Sequence, residues 1–483
     1  MLPINARFHA AISAADAERI ADRARKLVAG DPKIAATVNF AGGVLPGVAP
    51  GAGLCYEDHA PIGLAVAGEA VRYEYRMRSL AGTGDALLLA GPAHAGFDDY
   101  CRDILGLGAP RILSAPPLRS PRAPALAQRC AQDDAHLARL AALAREAGGL
   151  TLHPYACGGH DWLLASAIAM AARVPVRVAG PPPGIARRVN DKAWFAEQVS
   201  WLLGGRAVPQ GFTVLGPAAL AGRIALLARR YERVVIKVPD SAGGRGNLVL
   251  DAATLRAMPL KAMHRRLHRL LRALGWRGLF PLVAGVWESP VAASPSAQLW
   301  LPDPRDGPPL IEGLFVQTLI GDEGEFIGAE PARLPAGAEA RMVDEAARIG
   351  ALFQGLGYFG RCSLDAVLVG DRIETAELRW IECNGRWGGV SIPLMLVNRL
   401  VPDAARRFVI VQQVDLERPP CAFGEALDRL AALLYDHRRQ QHGIVFLSPR
   451  LIESGTGMHY VSIADTLEQA RDQARAAGER LAA

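Results

Sequence analysis

Along this chain the apolar positions recur at two spacings, roughly every 3.6 residues in some segments and every second residue in others. Ile20, Ala24, Leu27 and Val28 fall on one helical face behind Ser13, a residue suited to cap that helix. Apolar runs at 36–40, 86–90, 111–114, 150–155 and 176–179 predict strands. Leu137, Leu140, Ala141 and Ala144 mark a helix between them, and another is predicted from Asp161. From 71 to 78 the alternation is strict, Val71, Tyr73, Tyr75 and Met77 against Arg72, Glu74, Arg76 and Arg78, which reads as a strand. Strands alternating with helices over residues 1–183 point to an open α/β sheet, and GPPPG at 180–184 ends the pattern.

Beyond that break the pattern carries chemistry. Asn190 or Asp191 can cap a helix with Phe195, Val199 and Leu202 turned inward. A strand around 232–238 places Val235 and Lys237 on one face and runs into DSAGGRGN. A lysine inside an apolar strand needs a partner. Gly243, Gly244 and Gly246, lacking side chains, would let backbone N–H groups approach a phosphate. Two strands are predicted within 281–301, another at 312–320, and a helix at 341–354. In 357–389 two antiparallel strands turn at Gly370–Asp371, and strand periodicity puts Leu378, Trp380, Glu382 and Asn384 on one face. Asp365 can face them from the first strand. Two carboxylates and an amide oxygen form a hard-oxygen set that suits Mg2+, and Arg386 follows where a cation can meet a phosphoryl group.

The remaining signals are weaker. The Gly/Pro-rich loop at 42–53 lacks both G-x-G-x-x-G spacing and a P-loop lysine and reads as a connection. His153, His160 and Asp161 bracket a strand end and a helix start, where ligands gather in open sheets; Asp161 also suits a helix cap. The helix at 261–274 is basic and amphipathic, with a solvated outer face favoured because no aromatic residue is interleaved to stack bases. After about 405 a helix at 424–443, two strands and a last helix bearing Leu467, Ala470, Ala474, Ala477 and Leu481 on one stripe predict a small α/β appendage.

Composition bounds these readings. The chain has 483 residues, 50% of them apolar, enough for two to four compact units. No apolar run reaches the roughly 20 residues of a membrane span. Seven scattered cysteines without a C-x2-C pair argue against a disulfide framework or structural zinc and fit a reducing cytoplasm. A net charge of +6 is a weak case for nucleic acid. Lysine is rare: five residues (26, 33, 192, 237 and 261) against 49 arginines, which draws attention to Lys192 and Lys237 inside motifs.

The order Lys192, Lys237 with its glycine loop, then Asp365 and Glu382-x-Asn384-x-Arg386 resembles the ATP-grasp carboxylate–amine ligases over about 187–402. With ECNGRWGGVSIPLMLVNRLV and GIVFLSPRLIESGTGMHYVSIADT, the chain is similar to the peptide-ligase branch typified by pheganomycin biosynthesis. The resemblance implies a pre-ATP-grasp α/β domain at 1–183, a two-lobed α+β ATP-grasp domain at 184–405 and a small α/β domain at 406–483. It implies ATP and Mg2+ as cofactors. Lys192, Lys237 and the glycine loop would hold phosphates, Val286 would meet adenine in the hinge between lobes, and Glu288 would meet the ribose. Asp365, Glu382 and Asn384 would hold metal, with Arg386 or Arg361 at an acyl phosphate. Small-molecule or peptide carboxylates and amines are the implied substrates, a homo-oligomer is possible, and neither nucleic acid nor membrane is implied. The rival readings are an ATP-grasp carboxylating enzyme, disfavoured because no carrier-lysine segment is evident, and a nucleotide-binding regulator without turnover, disfavoured by the full metal set.

Overall fold

The computed structural model describes residues 7–35, 43–62, 73–117, 125–239, 241, 246–321, 324–401, 408–414 and 420–482. The strand expected at 36–40 lies outside them, as do Gly243 and Gly244. The first part is an open parallel sheet of β1 (Leu45–Pro46), β2 (Ala52–Tyr56), β3 (Ala86–Leu89), β4 (Arg111–Ser114), β5 (Leu150–Pro154) and β6 (Val176–Val178), in the order β1-β6-β5-β2-β3-β4. Leu54, Tyr56, Leu88 and Leu152 are all buried, as expected for parallel strands covered on both faces. Helix Gly159–Ala172 follows β5, and Asp161 accepts from Gly158 N at 2.7 Å and Tyr56 OH at 2.6 Å. That is a capping role; burial pushes its carboxyl up to about 7.

Of the alternation at 71–78, residues 71 and 72 lie outside the described residues, and 73–78 do not make a strand. Glu74–Ser79 is a 3-10 helix in which apolar and charged residues alike are buried. Arg78 bonds Asp98 and the Gly108 carbonyl, and one carboxylate oxygen of Glu74 accepts from the amides of Ala90 and Gly91. Polar residues paired inside the protein mimic the polar face of a strand in a sequence pattern.

A second, antiparallel sheet has the order β7-β10-β8-β9, from β7 (Gly211–Val214), β8 (Arg233–Lys237), β9 (Asn247–Asp251) and β10 (Leu282–Val286). Helices Pro217–Ala228 and Leu260–Ala273 bury Ile224, Leu227, Met263, Leu267 and Leu271 in one core with Val234, Ile236 and Ala284 of its strands. This small lobe is followed by a nine-stranded sheet. Its members are β11 (Val291–Ala293), β12 (Pro295–Leu301), β13 (Leu310–Ile320), β14 (Glu325–Pro331), β15 (Gly360–Val369), β16 (Glu377–Asn384), β17 (Phe408–Val414), β18 (Gly443–Phe446) and β19 (Gly457–Ile463).

The last residues do not form a sheet of their own. β17 pairs with β14, and β19 and β18 extend the same sheet. One core holds Phe408, Ile410, Tyr460 and Leu481 together with Leu87, Phe97 and Tyr100 of the first part. The predicted helix at 424–443 is shortened to Phe423–Arg429 and followed by a 3-10 turn. The terminal helix Leu467–Ala482 buries the five residues of its predicted stripe.

The hairpin β15–β16 carries a further correction. Asp365 lies opposite Glu382, and Ser363 opposite Asn384, but Ala366 pairs with Trp380, so Ile381 is an extra residue in β16. This β-bulge resets the alternation. Leu378, Trp380 and Cys383 enter the core beneath the sheet, while Ile381, Glu382 and Asn384 face a cavity. Trp380, fully buried, donates to Glu345 of helix Ala336–Gly355 at 2.8 Å. Trp380 and Glu382 therefore do not share a face, contrary to simple period-two counting.

Candidate active site

A cavity of about 570 Å3 opens where the three sheets meet. The small lobe contributes Arg233, Lys237 and Asn247, and the connection after β10 contributes Val286, Trp287 and Glu288. The central sheet contributes Ser296, Gln298, Gln317, Asp365, Glu382, Asn384 and Arg386. The first part contributes His59, Tyr73, Arg76 and Tyr155.

Asp365 accepts from Ser296 Oγ at 2.7 Å and from Asn384 Nδ2 at 2.7 Å. Burial, and next the Glu382 charge, hold its carboxyl above the usual range. Glu382 has the opposite fate. Burial alone would raise it, but Lys192, Lys237 and Arg386 together hold it below its ordinary value. Lys192 Nζ lies 3.0 Å from Glu382 Oε2 and also donates to Ser241 O and Oγ at 2.9 and 3.0 Å. Two opposed carboxylates, one kept ionised by lysine, fit a hard cation whose remaining ligands come from water or phosphate. Asn384 presents Nδ2 to Asp365 and Oδ1 to Arg386, so an amide turned over would bring its oxygen to the same point.

Lys237, mid-strand in sequence, ends β8 with its ammonium in the cavity. Burial pushes it down to about 8; the Glu382 charge opposes that and Lys192 adds to it. Gly246 serves close packing: a Cβ there would stand 1.9 Å from Ser241 Oγ, the group that holds Lys192. Val286 lines the cavity, but its N–H is spent on Gln210 O at 2.9 Å. Glu288 also lines it while paired with Arg379 at 2.5 Å. Asp191, not Asn190, caps helix Lys192–Leu203. Asn190 instead accepts from Gly385 N and Arg386 Nη1, each at 2.9 Å, and so clamps the loop that carries Arg386.

Three expected residues, Lys192, Gly246 and Arg361, are not at the cavity wall. Lys192 supports Glu382 from a buried position without lining the cavity. Arg361 is buried between Trp300 and Trp387, its guanidinium 4.9 and 4.6 Å from the ring centres, and bonds Glu312 at 3.0 and 2.9 Å. A guanidinium so enclosed has no route to a reacting phosphoryl. Of the two arginines expected at an acyl phosphate, Arg386 is the one presented to the cavity. His153 is buried in β5 and His160 is exposed, and neither lines the cavity.

Residues 74–170 match the family profile of the pre ATP-grasp domain. Among solved structures, the chain is similar to N5-carboxyaminoimidazole ribonucleotide synthetase from Thermus thermophilus, at 17% identity and a TM-score of 0.50 over 89% of this chain and 98% of that one. The chain has the ATP-grasp fold, with a pre-ATP-grasp domain in front. Staphylococcus aureus N5-carboxyaminoimidazole synthetase, complexed with ADP, is similar at 12% identity and a TM-score of 0.50 over 89% and 98% of the two chains. Biotin carboxylase from Campylobacter jejuni, in a βγ-ATP complex, is similar at 12% identity and a TM-score of 0.51 over 89% and 90%. Among curated proteins none matches the sequence.

In this ATP-grasp chain several wall residues escaped sequence reasoning. Ser296, Gln298 and Gln317 interrupt apolar strands, the first two at alternate positions, a signal that was legible. Arg76, Tyr73, His59 and Tyr155 reach the cavity through the packing of the pre-ATP-grasp domain on the central sheet, which no local pattern marks.

The enclosure of Arg361 makes a checkable point. Arg361→Met leaves Glu312 buried and unpaired, and calorimetry should show a loss of about 3–5 kcal/mol of stability. Arg361→Met combined with Glu312→Leu should recover most of it. A double variant no more stable than the single one would refute the structural assignment.

Proposed function

We propose that the protein is an ATP-dependent, ADP-forming ligase that joins a carboxylate to an amine through an acyl phosphate. The observation that carries the reading is the register of Asp365 opposite Glu382, with Asn384 and Arg386 lining the same cavity as Lys237 of the small lobe. Similar structures contain ADP or an ATP analogue, which supports a nucleotide in the same cleft. Lys237 would hold nucleotide phosphates, and Lys192 would keep Glu382 charged and oriented. Asp365, Glu382 and Asn384 would hold Mg2+. When bound, that ion neutralises charge on the terminal phosphates. Val286 and Glu288 lie where the lobes join, the place proposed for adenine and ribose. Gly243, Gly244 and Gly246 are proposed as the loop over the phosphates.

In the proposed reaction a carboxylate oxygen attacks the terminal phosphorus and ADP leaves. The amine then attacks the acyl carbon, expelling phosphate and losing a proton. Arg386, fixed by Asn190, would meet the charge that develops on the migrating phosphoryl. Peptide substrates are our preferred class, on the resemblance of the terminal segments to peptide ligases. We also propose domain limits of 1–183, 184–405 and 406–483, the last completing the central sheet. A carboxylating reaction, with bicarbonate as the acid, is the second reading, favoured by likeness to biotin carboxylase.

The products distinguish these readings. With ATP, Mg2+ and a competent carboxylate, hydroxylamine should yield a hydroxamate with equal ADP and phosphate. AMP with pyrophosphate would refute the mechanism, and a strict need for bicarbonate would select the second reading. Glu382→Gln and Asp365→Asn should each retain the fold and lower turnover at least a hundredfold, about 3 kcal/mol of barrier. Turnover near wild type in both would remove the site.

Lys237 gives a pH signature. Its ammonium is the binding form and titrates at about 8 in the free protein. Phosphate would raise that value, so ADP affinity should be full below about 8 and fall as pH rises above it. Titration calorimetry should show this fall in wild type and its absence in Lys237→Met.

A further inference from the structure

The whole chain carries a net charge of +6, but residues 206–287 hold fourteen basic and three acidic residues, a net +11 that leaves −5 for the remainder. Between 252 and 287 there is no acidic residue at all. The charge gathers on the small ATP-grasp lobe, most densely on the helix Leu260–Ala273. Met263, Leu267 and Leu271 fix that helix to the lobe core, so the opposite side faces outward. Lys261, Arg265, Arg266, Arg269, Arg272 and Arg277 are exposed, none forms an ion pair among the described residues, and none lines the cavity.

Single exposed arginines elsewhere, such as Arg139 and Arg333, also lack a carboxylate among the described residues, but they stand apart from one another, and others are paired. Arg19, Arg102, Arg305, Arg471 and Arg475 each rest on a neighbouring Asp or Glu. On the lobe helix, Lys261, Arg265, Arg269 and Arg272 instead repeat at three- and four-residue intervals, a row about 16 Å long. Like charges at these intervals weaken a helix unless something neutralises them.

Leucines are exposed on the same lobe: Leu260 at 57%, Leu279 at 73%, Leu215 at 78% and Leu226 at 37%. Leu260 and Leu279 flank the row in sequence, and Leu226 lies on the helix packed beside it. Among the described residues of the lobe no Phe, Tyr or Trp ring is exposed, since Trp276 is buried and Tyr231 and Phe280 are half-buried, and the exposed His268 ring is already packed edge-on against Trp276 at 6.1 Å. Single-stranded nucleic acid asks for stacking rings. Arginine with apolar anchors is the composition of a protein interface.

We propose that the outer face of this lobe docks a protein partner through a segment rich in Asp and Glu with interspersed apolar residues. One helix face is well below the area of a standard interface, so the association is weak, fast and salt-sensitive.

The test uses the full chain and three fluorescent probes. One is an amphipathic helical peptide, about five turns long, with a Glu stripe and a Leu face. The second is the same peptide with Gln for Glu, and the third an oligouridylate of equal length. The Glu peptide should bind and weaken at least fivefold between about 50 and 200 mM salt, as screening requires. The Gln peptide should bind at least tenfold more weakly. Arg265→Glu/Arg269→Glu/Arg272→Glu should abolish binding while the thermal midpoint stays at the wild-type value. Leu260→Ala/Leu279→Ala should weaken the Glu peptide and leave the oligouridylate unaffected. Oligouridylate binding tighter than the Glu peptide would overturn the proposal in favour of nucleic acid. Wild-type affinity in the charge-reversed variant, or no binding of the Glu peptide at low salt, would also overturn it.

Discussion

An ion pair between buried Lys192 and half-buried Glu382, 3.0 Å long, joins two separate parts of the structure. Lys192 stands at the start of a helix packed under the central sheet, and Glu382 is on the second strand of the hairpin β15–β16. Ser241, at the root of the glycine loop, completes the lysine's hydrogen bonds. Lys192 is buried and Glu382 faces the cavity, so the lysine bears the larger desolvation cost, which Ser241 and Glu382 together offset. The pair therefore couples the small lobe, the helix and the metal-type carboxylates. It also keeps Glu382 ionised beside Asp365, whose own carboxyl is pushed the other way by burial and by its neighbour.

Charge is handled in two opposite ways in this molecule. In the interior three buried cations have fixed carboxylates: Arg361 on Glu312, Arg76 on Glu57, Lys192 on Glu382. Arg361 and Arg76 are also stacked on aromatic rings, which suits the weakly hydrated guanidinium. These pairs hold the pre-ATP-grasp domain and the central sheet in shape around the cavity. On the outside of the small lobe the cations stand in a row without carboxylate partners among the described residues. The same residue type gives rigidity in the first setting and a long-range field in the second.

The site also depends on close approaches that only glycine permits. A Cβ at Gly385 would meet Val189 at 2.5 Å and Asn190 at 2.9 Å, so the loop carrying Arg386 could not seat on Asn190. A Cβ on Gly246 would displace Ser241 and with it the support of Lys192. Backbone proximity thus controls the position of charged groups that are distant in sequence.

Much of this was legible in the sequence, for a local reason. Alternation along β15 and β16, the apolar run around Lys237, the capped helix at 192 and the terminal stripe all arise from side chains meeting one nearby surface. The period of the pattern then reports the element. Asp365, Glu382, Asn384, Arg386 and Lys237 could be singled out because polar groups in apolar strands need a partner. What the sequence could not decide was settled by partners from elsewhere in the chain. A paired, buried set of charges made 71–78 look like a strand, the bulge at Ile381 turned Trp380 away from Glu382, and Glu312 took Arg361 out of the cavity. The final strands likewise joined the central sheet because β14 offered an edge for β17 to pair with. Local periodicity fixes which faces are apolar. Only packing decides whether a polar face meets water, a ligand or another buried charge.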